Sequence, residues 1–218
     1  MKVDLHIHTR FSNDSLTTLE DVLRWARRRG LDALAITDHN TIEGALRLAQ
    51  RSPIPIIIGE EIRTRQGELI GLFLQEPIPP NLSLRETAEL IHKQGGIVYV
   101  PHPLDRVRHS AVGREALLRI ISQVDAIEVL NARVTFPLDN QLARELAQRY
   151  DLPQGAGSDA HQGFEIGRAY VEMPPFEDAT SFLQSLRRAR LGGRLSSPLV
   201  HVGSMYAKVA KELIPSMR

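Results

Sequence analysis

Short unbroken apolar runs alternate with amphipathic segments along most of the chain. The apolar runs predict buried β-strands, and segments with apolar residues at helical spacing predict α-helices. The predicted strands cover residues 3–9, 31–37, 53–58, 68–74, 97–100, 125–130, 153–158 and 168–173. The predicted helices, counted from their caps, cover residues 17–29, 41–50, 83–94, 113–122, 138–149 and 176–190.

Local signals mark where several of these helices begin and end. Thr17 with Glu20, and Ser83 with Glu86, have the spacing of capping boxes, in which side chains satisfy the free amides at a helix start. Gly30 is placed to end the first helix in the left-handed conformation. These signals make the first and third helices the best defined by sequence.

The alternation of apolar strands with helices is typical of a parallel sheet covered by helices. About seven strand–helix repeats favour a closed or nearly closed α/β barrel. No G-x-G-x-x-G or P-loop motif follows a strand, which counts against a dinucleotide fold. We expect residues 1–195 to form the barrel and residues 196–218 a helical tail. The apolar residues expected to pack the tail on the barrel are Val202, Tyr206, Val209 and Leu213.

Composition sets limits on the function. The 218 residues carry a formal net charge of +1, so the overall charge indicates neither a nucleic-acid nor a membrane partner. The chain has no cysteine, so any bound metal must be held by His, Asp and Glu side chains. The N-terminus lacks an apolar signal segment, and no apolar run reaches membrane-spanning length. We therefore expect a cytoplasmic protein.

Two histidines in the first predicted strand are the first candidates for chemistry. His6 and His8 are two residues apart, so their side chains point to the same side of an extended strand. Imidazole is the commonest neutral metal ligand. Taken alone, however, such a pair more often lies on the solvent face of an edge strand.

Further ionisable residues follow other predicted strands, at the ends that a barrel gathers on one face. These residues are Asp38, His39, Glu60, Glu61, His102, Glu128, Asp159 and His161. Clustered carboxylate and imidazole groups are what a multinuclear site for Zn²⁺, Mn²⁺ or Fe²⁺ requires. Asp38 and Glu128 could instead orient the imidazoles through hydrogen bonds. Together these positions favour a metal site over a purely structural role.

Six motifs occur in a defined order between residues 1 and 173: HIHT, DHN, GEE, VPHP, IEVLNAR and GSDAH. In these motifs the chain resembles the PHP (polymerase and histidinol phosphatase) superfamily. The resemblance implies a distorted (β/α)7 barrel of parallel strands with outer helices. It also implies two or three divalent metal ions at the barrel mouth and hydrolysis of phosphoesters.

Carried over position by position, the resemblance implies a set of metal ligands. The set is His6, His8, Asp14, His39, Glu61, His102, Asp159 and His161. The two histidines of the first strand would share one ion with Glu61 and Asp159, and Glu61 would bridge to a second ion completed by His102. His39, His161 and an acid in the first loop would hold a third. Glu61, His102 and Asp159 would form the catalytic core.

Three positions in this set depend on separate arguments. Asp14 is preferred to Asn13 as the loop acid because only Asp14 is negatively charged, although some family members place the acid one residue earlier. Glu61 matches the G-x-E of the family, and Glu60 would face the opposite side of the strand. Many relatives have a histidine where this chain has Glu68. A glutamate there could also bind the second ion, and it would favour Mn²⁺ or Mg²⁺ over Zn²⁺.

The activity implied by the resemblance is hydrolysis of a phosphomonoester by a hydroxide that bridges two metal ions. Arginines at the mouth would hold the phosphate. Arg133 is the first candidate, and Arg10 and Arg106 are weaker ones. The expected substrate is a nucleotide, a nucleoside bisphosphate or a small compound like histidinol phosphate.

Other functions remain open. Exonuclease action on short RNA or DNA ends would use the same chemistry, but the chain shows no basic run or aromatic platform for a long strand. A C–N bond hydrolase on a similar barrel fits the motif order less well. A non-catalytic, regulatory metal-binding module is disfavoured by the nearly complete ligand set. The sequence does not reveal the physiological substrate or the oligomeric state.

Overall fold

The computed structural model describes residues 1–213, in which nine strands form one mixed sheet. The strands are β1 (Lys2–Ile7), β2 (Ala33–Ile36), β3 (Ile56–Thr64), β4 (Gly67–Leu72), β5 (Ile97–Val100), β6 (Ala126–Asn131), β7 (Gln154–Gly157), β8 (Ala169–Glu172) and β9 (Arg190–Gly193). The helices are α1 (Leu19–Arg29), α2 (Glu43–Ala49), α3 (Leu84–Lys93), α4 (Arg114–Ile120), α5 (Pro137–Arg149), α6 (Ala179–Leu186) and α7 (Val200–Leu213).

The sheet has the order β7-β6-β5-β4-β3-β2-β1-β8-β9 and curves back on itself. Strands β1 to β3 are parallel neighbours, and so are β5 to β7. Beyond β7, the amide of Asp159 donates to the carbonyl of His6 and the amide of His8 donates to the carbonyl of Ala160. The expected α/β barrel is therefore confirmed as a mixed α/β fold with a nearly closed, barrel-shaped sheet.

Some strands depart from the parallel arrangement that the sequence predicted. Strand β4 is antiparallel to both β3 and β5, because only residues 65 and 66 separate β3 from β4 and a parallel connection needs a long crossover. Strand β8 is antiparallel to β1 and to β9. The helix predicted for 176–190 ends at Leu186, and β9 follows in a segment that had no predicted strand.

The capping signals were accurate for α3 and displaced by one residue for α1. The Ser83 hydroxyl accepts from the Glu86 amide and the Glu86 carboxylate accepts from the Ser83 amide, which confirms that capping box. Gly30 ends α1 with a φ of 62°, as predicted. The N-cap of α1 is Thr18, however, because the hydroxyl of Thr17 donates instead to the carbonyl of His161.

The predicted tail helix is present as α7, but the prediction of which side of it packs on the barrel is wrong. The expected contact residues are more than half exposed: Val202, Tyr206, Val209 and Leu213. The buried residues of α7 are Val200, Ala207, Ala210 and Lys211. An apolar stripe indicates the buried side of a helix only when apolar contacts hold the helix in place. Polar groups also hold α7 on the barrel, such as the Lys211 ammonium, which donates to the carbonyl of Arg10.

The tail was predicted to run to residue 218, and residues 214–218 lie outside the described residues. The barrel–tail boundary at residue 195 stays a prediction. Within residues 1–213, none of the helices combines the length and apolar character needed to cross a bilayer.

Candidate metal centre

The mouth of the barrel brings histidines from β1 together with acids from two other strand ends. The Nε2 atoms of His6 and His8 lie 3.0 Å apart. They lie 3.6 and 3.3 Å from the carboxylate oxygens of Glu61, and 3.7 and 3.5 Å from Oδ1 of Asp159. All four side chains are fully buried. The residues predicted to hold the first ion are thus brought together.

Glu61 lies between two groups of histidines. Its Oε1 is 3.0 Å from Nε2 of His102, and its Oε2 is 3.1 Å from Nδ1 of His39. Glu68 comes to the same place from β4, and a ligand atom of Glu68 lies within 4.8 Å of one from both Glu61 and His39. A carboxylate with each oxygen facing a different histidine has the arrangement that a bridging ligand requires.

Asp14 occupies the position proposed for the loop acid. Its Oδ2 is 3.4 Å from Nε2 of His39 and 3.2 Å from Nε2 of His161. Asn13 lines a separate cleft on the other side of the same loop, together with Arg10. The geometry supports Asp14 over Asn13 as the acid that joins these two histidines.

Glu60 points away from the cluster, as the alternation of a strand demands. Its Oε2 accepts a hydrogen bond of 2.8 Å from the amide of Ile78, while its buried Oε1 has no hydrogen-bond partner among residues 1–213. Burial raises the pKa of Glu60 to about 7. Of the two adjacent glutamates, only Glu61 faces the histidines.

The donor atoms of the cluster fit divalent cations. Buried side-chain atoms without a hydrogen-bond partner include Oδ1 of Asp14, Oε2 of Glu61 and Oδ1 of Asp159. Buried, unsatisfied carboxylate oxygens are costly unless a positive charge compensates them. Burial alone would lower the pKa of His39, but Glu61 and Asp14 outweigh it and raise that pKa to about 10. A metal ion bound to His39 would displace the proton that this raised pKa retains.

Hydrogen bonds around the cluster orient the proposed ligands. Nδ1 of His6 lies 3.1 Å from Oε1 of Glu128, and the Asn131 amide donates to both Glu128 and Asp159. Nδ1 of His8 lies 3.1 Å from the hydroxyl of Ser12. Support of the second ring nitrogen is typical of histidines that bind metals.

The backbone is unusual at two of the proposed ligands. His102 has a φ of 28° and Asp159 a φ of 53°, in a region that non-glycine residues rarely adopt. Such conformations persist only where the surroundings impose them, and they concentrate at functional sites. Gly157, two residues before Asp159, has no Cβ, and a Cβ there would collide with that of His6.

The arginines predicted to bind substrate lie in different places. Arg133 is buried at the mouth, where its Nη1 contacts Nδ1 of His161. Arg106 pairs with Asp139 at 2.7 Å and does not line the mouth pocket. Arg10 lines the separate cleft beside the first loop. Of these three arginines, Arg133 is the one that stands next to the cluster.

Arg108 was not singled out from the sequence, yet it reaches the cluster. Its Nη2 lies 2.6 Å from Oδ2 of Asp159, and it lines the mouth pocket together with Arg133, His201 and Ser204. The alternating R-V-R spacing gave no reason to separate Arg108 from Arg106. In the structure a turn organised by Asp105, whose carboxylate accepts from two amides of the loop, sends these arginines to different partners.

Comparisons with known proteins identify the family of the chain. A family model described as the PHP domain matches residues 4–151, and a PHP-associated model matches residues 137–191. Two uncharacterized proteins of Methanocaldococcus jannaschii are each 38% identical to the chain, over 175 and 170 residues. These alignments cover 79% and 72% of the chain and 70% and 96% of the two relatives.

A similar fold occurs in a solved structure from Bacteroides vulgatus, a two-domain protein described as containing a predicted PHP-like metal-dependent phosphoesterase. The TM-score is 0.69 at 19% sequence identity, over 95% of this chain and 69% of the other. At this level of identity the likeness concerns the fold.

Proposed function

The chain belongs to the PHP domain family. From the residues clustered at the mouth of its barrel, we propose that it hydrolyses a phosphomonoester of a small molecule or nucleotide and that the reaction uses divalent metal ions. The observation that carries the proposal is the buried cluster in which Glu61 faces four histidines, with carboxylate oxygens that lack hydrogen-bond partners. Metal ions bound there would acidify a water molecule and offset the negative charge of the phosphoryl oxygens.

The ligand assignment follows the contacts within the cluster. One ion would be held by His6, His8, Glu61 and Asp159. A second would be held by Glu61, His102 and Glu68. A third would be held by His39, His161 and Asp14. Burial, with the nearby charge of His8, lowers the pKa of His161 to about 3, so its imidazole is neutral at physiological pH, as a ligand must be.

Two arginines are suited to orient the phosphate. Guanidinium groups bind phosphate oxygens bidentately, which adds direction to charge. Arg108 is partly open at the mouth, and Arg133 is buried against His161. Arg10 and Arg106 do not line this pocket, so we propose no contact of either with the phosphate of a small phosphomonoester.

The mouth pocket has the size of a small-molecule site, about 330 Å³. A second cleft of about 840 Å³ lies beyond the first loop and favours a second candidate, cleavage at short RNA or DNA ends. Basic side chains dominate its lining: Arg10, Arg47, Arg51, Lys208 and Lys211, against Glu20 and Glu212. Such a cleft would attract the extra phosphates of an oligonucleotide.

A phosphate-release screen of the Mn²⁺-loaded protein tests the proposal. The panel holds phosphomonoesters, nucleotides, nucleoside bisphosphates and short oligonucleotides. We expect release from a small phosphomonoester, and loss of both bound metal and release in His8→Ala and Asp159→Ala. His92→Ala is the matched control, because His92 pairs with Asp125 away from the mouth. Inorganic phosphate reports only the hydrolysis of phosphomonoesters, so the oligonucleotide samples are also assayed for released mononucleotides. Mononucleotides from oligonucleotides, without phosphate from any small phosphomonoester, would favour the second candidate. The absence of both phosphate and mononucleotides from every sample would contradict both candidates.

A further inference from the structure

The outward side of α7 carries an apolar stripe. Its members are Leu199, directly before the helix, and Val202, Tyr206, Val209 and Leu213, all more than half exposed. Successive members are three, four, three and four residues apart. This is the spacing of positions a and d in a coiled coil, which place one apolar seam along a helix and against a partner helix.

The opposite side of α7 is already docked on its own barrel. The Ser204 hydroxyl accepts a hydrogen bond of 2.6 Å from Nη2 of Arg133, and Nε2 of His201 lies 3.2 Å from the Arg133 carbonyl. About two helical turns after Ser204, Lys211 donates to the carbonyls of Arg10 and Ser12. These contacts orient α7, and they direct the apolar stripe away from the barrel.

We propose that this stripe pairs with the same stripe of a second copy of the chain, so that two α7 helices form the interface of a homodimer. A seam of this spacing is self-complementary about a two-fold axis. With Met205, which is 69% exposed, six large apolar side chains on each copy offer on the order of 100 Å² each, roughly 1,200 Å² together. That area reaches the lower limit of a stable interface.

The charges near the stripe also suit a second copy. The stripe itself is uncharged, and the two charged residues of α7 other than Lys211, Lys208 and Glu212, have opposite signs and line the basic cleft. The formal net charge of +1 gives two copies little mutual repulsion. Helices that bind membranes instead carry a polar face rich in Lys and Arg. The described part of α7 has two lysines and no arginine, and Lys211 donates to the carbonyl of Arg10 in its own barrel. A membrane surface is therefore the weaker fit.

Dimerisation through this stripe has a consequence for the mouth. His201 and Ser204 line the mouth pocket, and Arg133 is held by Ser204 and by the carbonyl of Val200. Pairing of the two stripes would hold α7 in this position from outside. The inference itself rests on α7 and does not depend on the proposed activity.

Sedimentation velocity of the full chain over a wide concentration range tests the inference. We expect the wild type to reach twice the 24.4 kDa of one chain. Val202→Glu combined with Val209→Glu should raise the dissociation constant at least roughly a hundredfold. The matched control is Leu138→Glu, which changes an exposed apolar residue on α5 and should leave the dimer intact.

Several results would overturn the inference. They are a wild type that stays at the mass of one chain at every concentration, a double variant that dimerises like the wild type, and a control that dissociates as readily as the double variant. If the wild type is a monomer and binds vesicles of anionic phospholipid, the stripe would be assigned to a membrane instead. Circular dichroism and metal content of the variants confirm that each is folded.

Discussion

Glu60 and Glu61 are neighbours in the sequence, yet the structure gives them opposite environments. Glu61 faces the histidines of the mouth, whereas Glu60 faces the other side of β3 and accepts a hydrogen bond from the amide of Ile78. This separation was predictable, because adjacent residues of a strand point to opposite faces. The burial of the Glu60 carboxyl could not be predicted, since it depends on how residues 75–78 cover the outer face of β3.

The buried carboxyl of Glu60 predicts a pH-dependent stability. Its pKa is about 7 in the folded protein against an ordinary 4.5, so between these values the folded state holds more protons than the unfolded state. Stability contributed by this group is therefore lost as pH rises from 4.5 to 7. Glu60→Gln removes this dependence. The difference in free energy of unfolding between Glu60→Gln and the metal-free wild type should therefore rise by roughly 3 kcal/mol in favour of the variant between pH 5 and pH 8.

Urea unfolding of the wild type and Glu60→Gln at a series of pH values measures this difference. Glu76→Gln, a change at an exposed position, is the matched control. A gap between wild type and Glu60→Gln that stays constant with pH would show that Glu60 is not held in its neutral form.

The arginines differ in how much of their position the sequence revealed. Arg133 lies beside the strand ends because it is two residues after the end of β6, and its substrate role stays a prediction. Arg106 and Arg108 could not be distinguished, because the sequence does not reveal the turn at Asp105 that sends one to Asp139 and the other to the mouth.

At the scale of elements, the loop between β1 and α1 connects the mouth to the basic cleft. Ser12 and Asp14 contact histidines of the mouth, whereas Asn13 lines the cleft. The sequence left the choice between Asn13 and Asp14 open, because an irregular loop has no periodicity from which to read the direction of a side chain.

Substitutions in this loop test the assignment of the third ion. Asp14→Ala should lose about one metal ion per chain, because it removes the carboxylate shared by His39 and His161. Asn13→Ala is the matched control and should retain the wild-type content. Metal content after equilibration with Mn²⁺ and gel filtration gives the answer, and an equal loss in both variants would refute the assignment.

The strands and helices were predicted more reliably than their directions and contacts. The apolar runs located β5 at residues 97–100, the predicted range. A short apolar run says nothing about strand direction, so the reversal of β4 was missed. Strand β3 continues to Thr64, beyond its predicted end at residue 58, and only this extension leaves the two-residue connection that requires an antiparallel β4. The packing of α7 was predicted from apolar spacing alone, and the polar groups that dock it outweighed that pattern.

At the scale of the whole molecule, the mouth exists because the sheet closes. His6 and Asp159 are far apart in the chain, and they meet because the backbone beyond β7 pairs with β1. The sequence predicted this meeting through the barrel fold and the family resemblance. The distances, and the contribution of α7 to the mouth, required the structure.

The metal dependence of turnover tests the central claim most directly. Metal-free protein is titrated with Mn²⁺, and bound metal and phosphate release are measured in the same samples. We predict that release appears only as the ions bind. Glu61→Gln should lose metal and at least roughly a hundredfold in turnover, since even outer partners of a metal site contribute tenfold to a hundredfold. Full release by metal-free protein, or unchanged metal content and turnover in Glu61→Gln, would contradict the account.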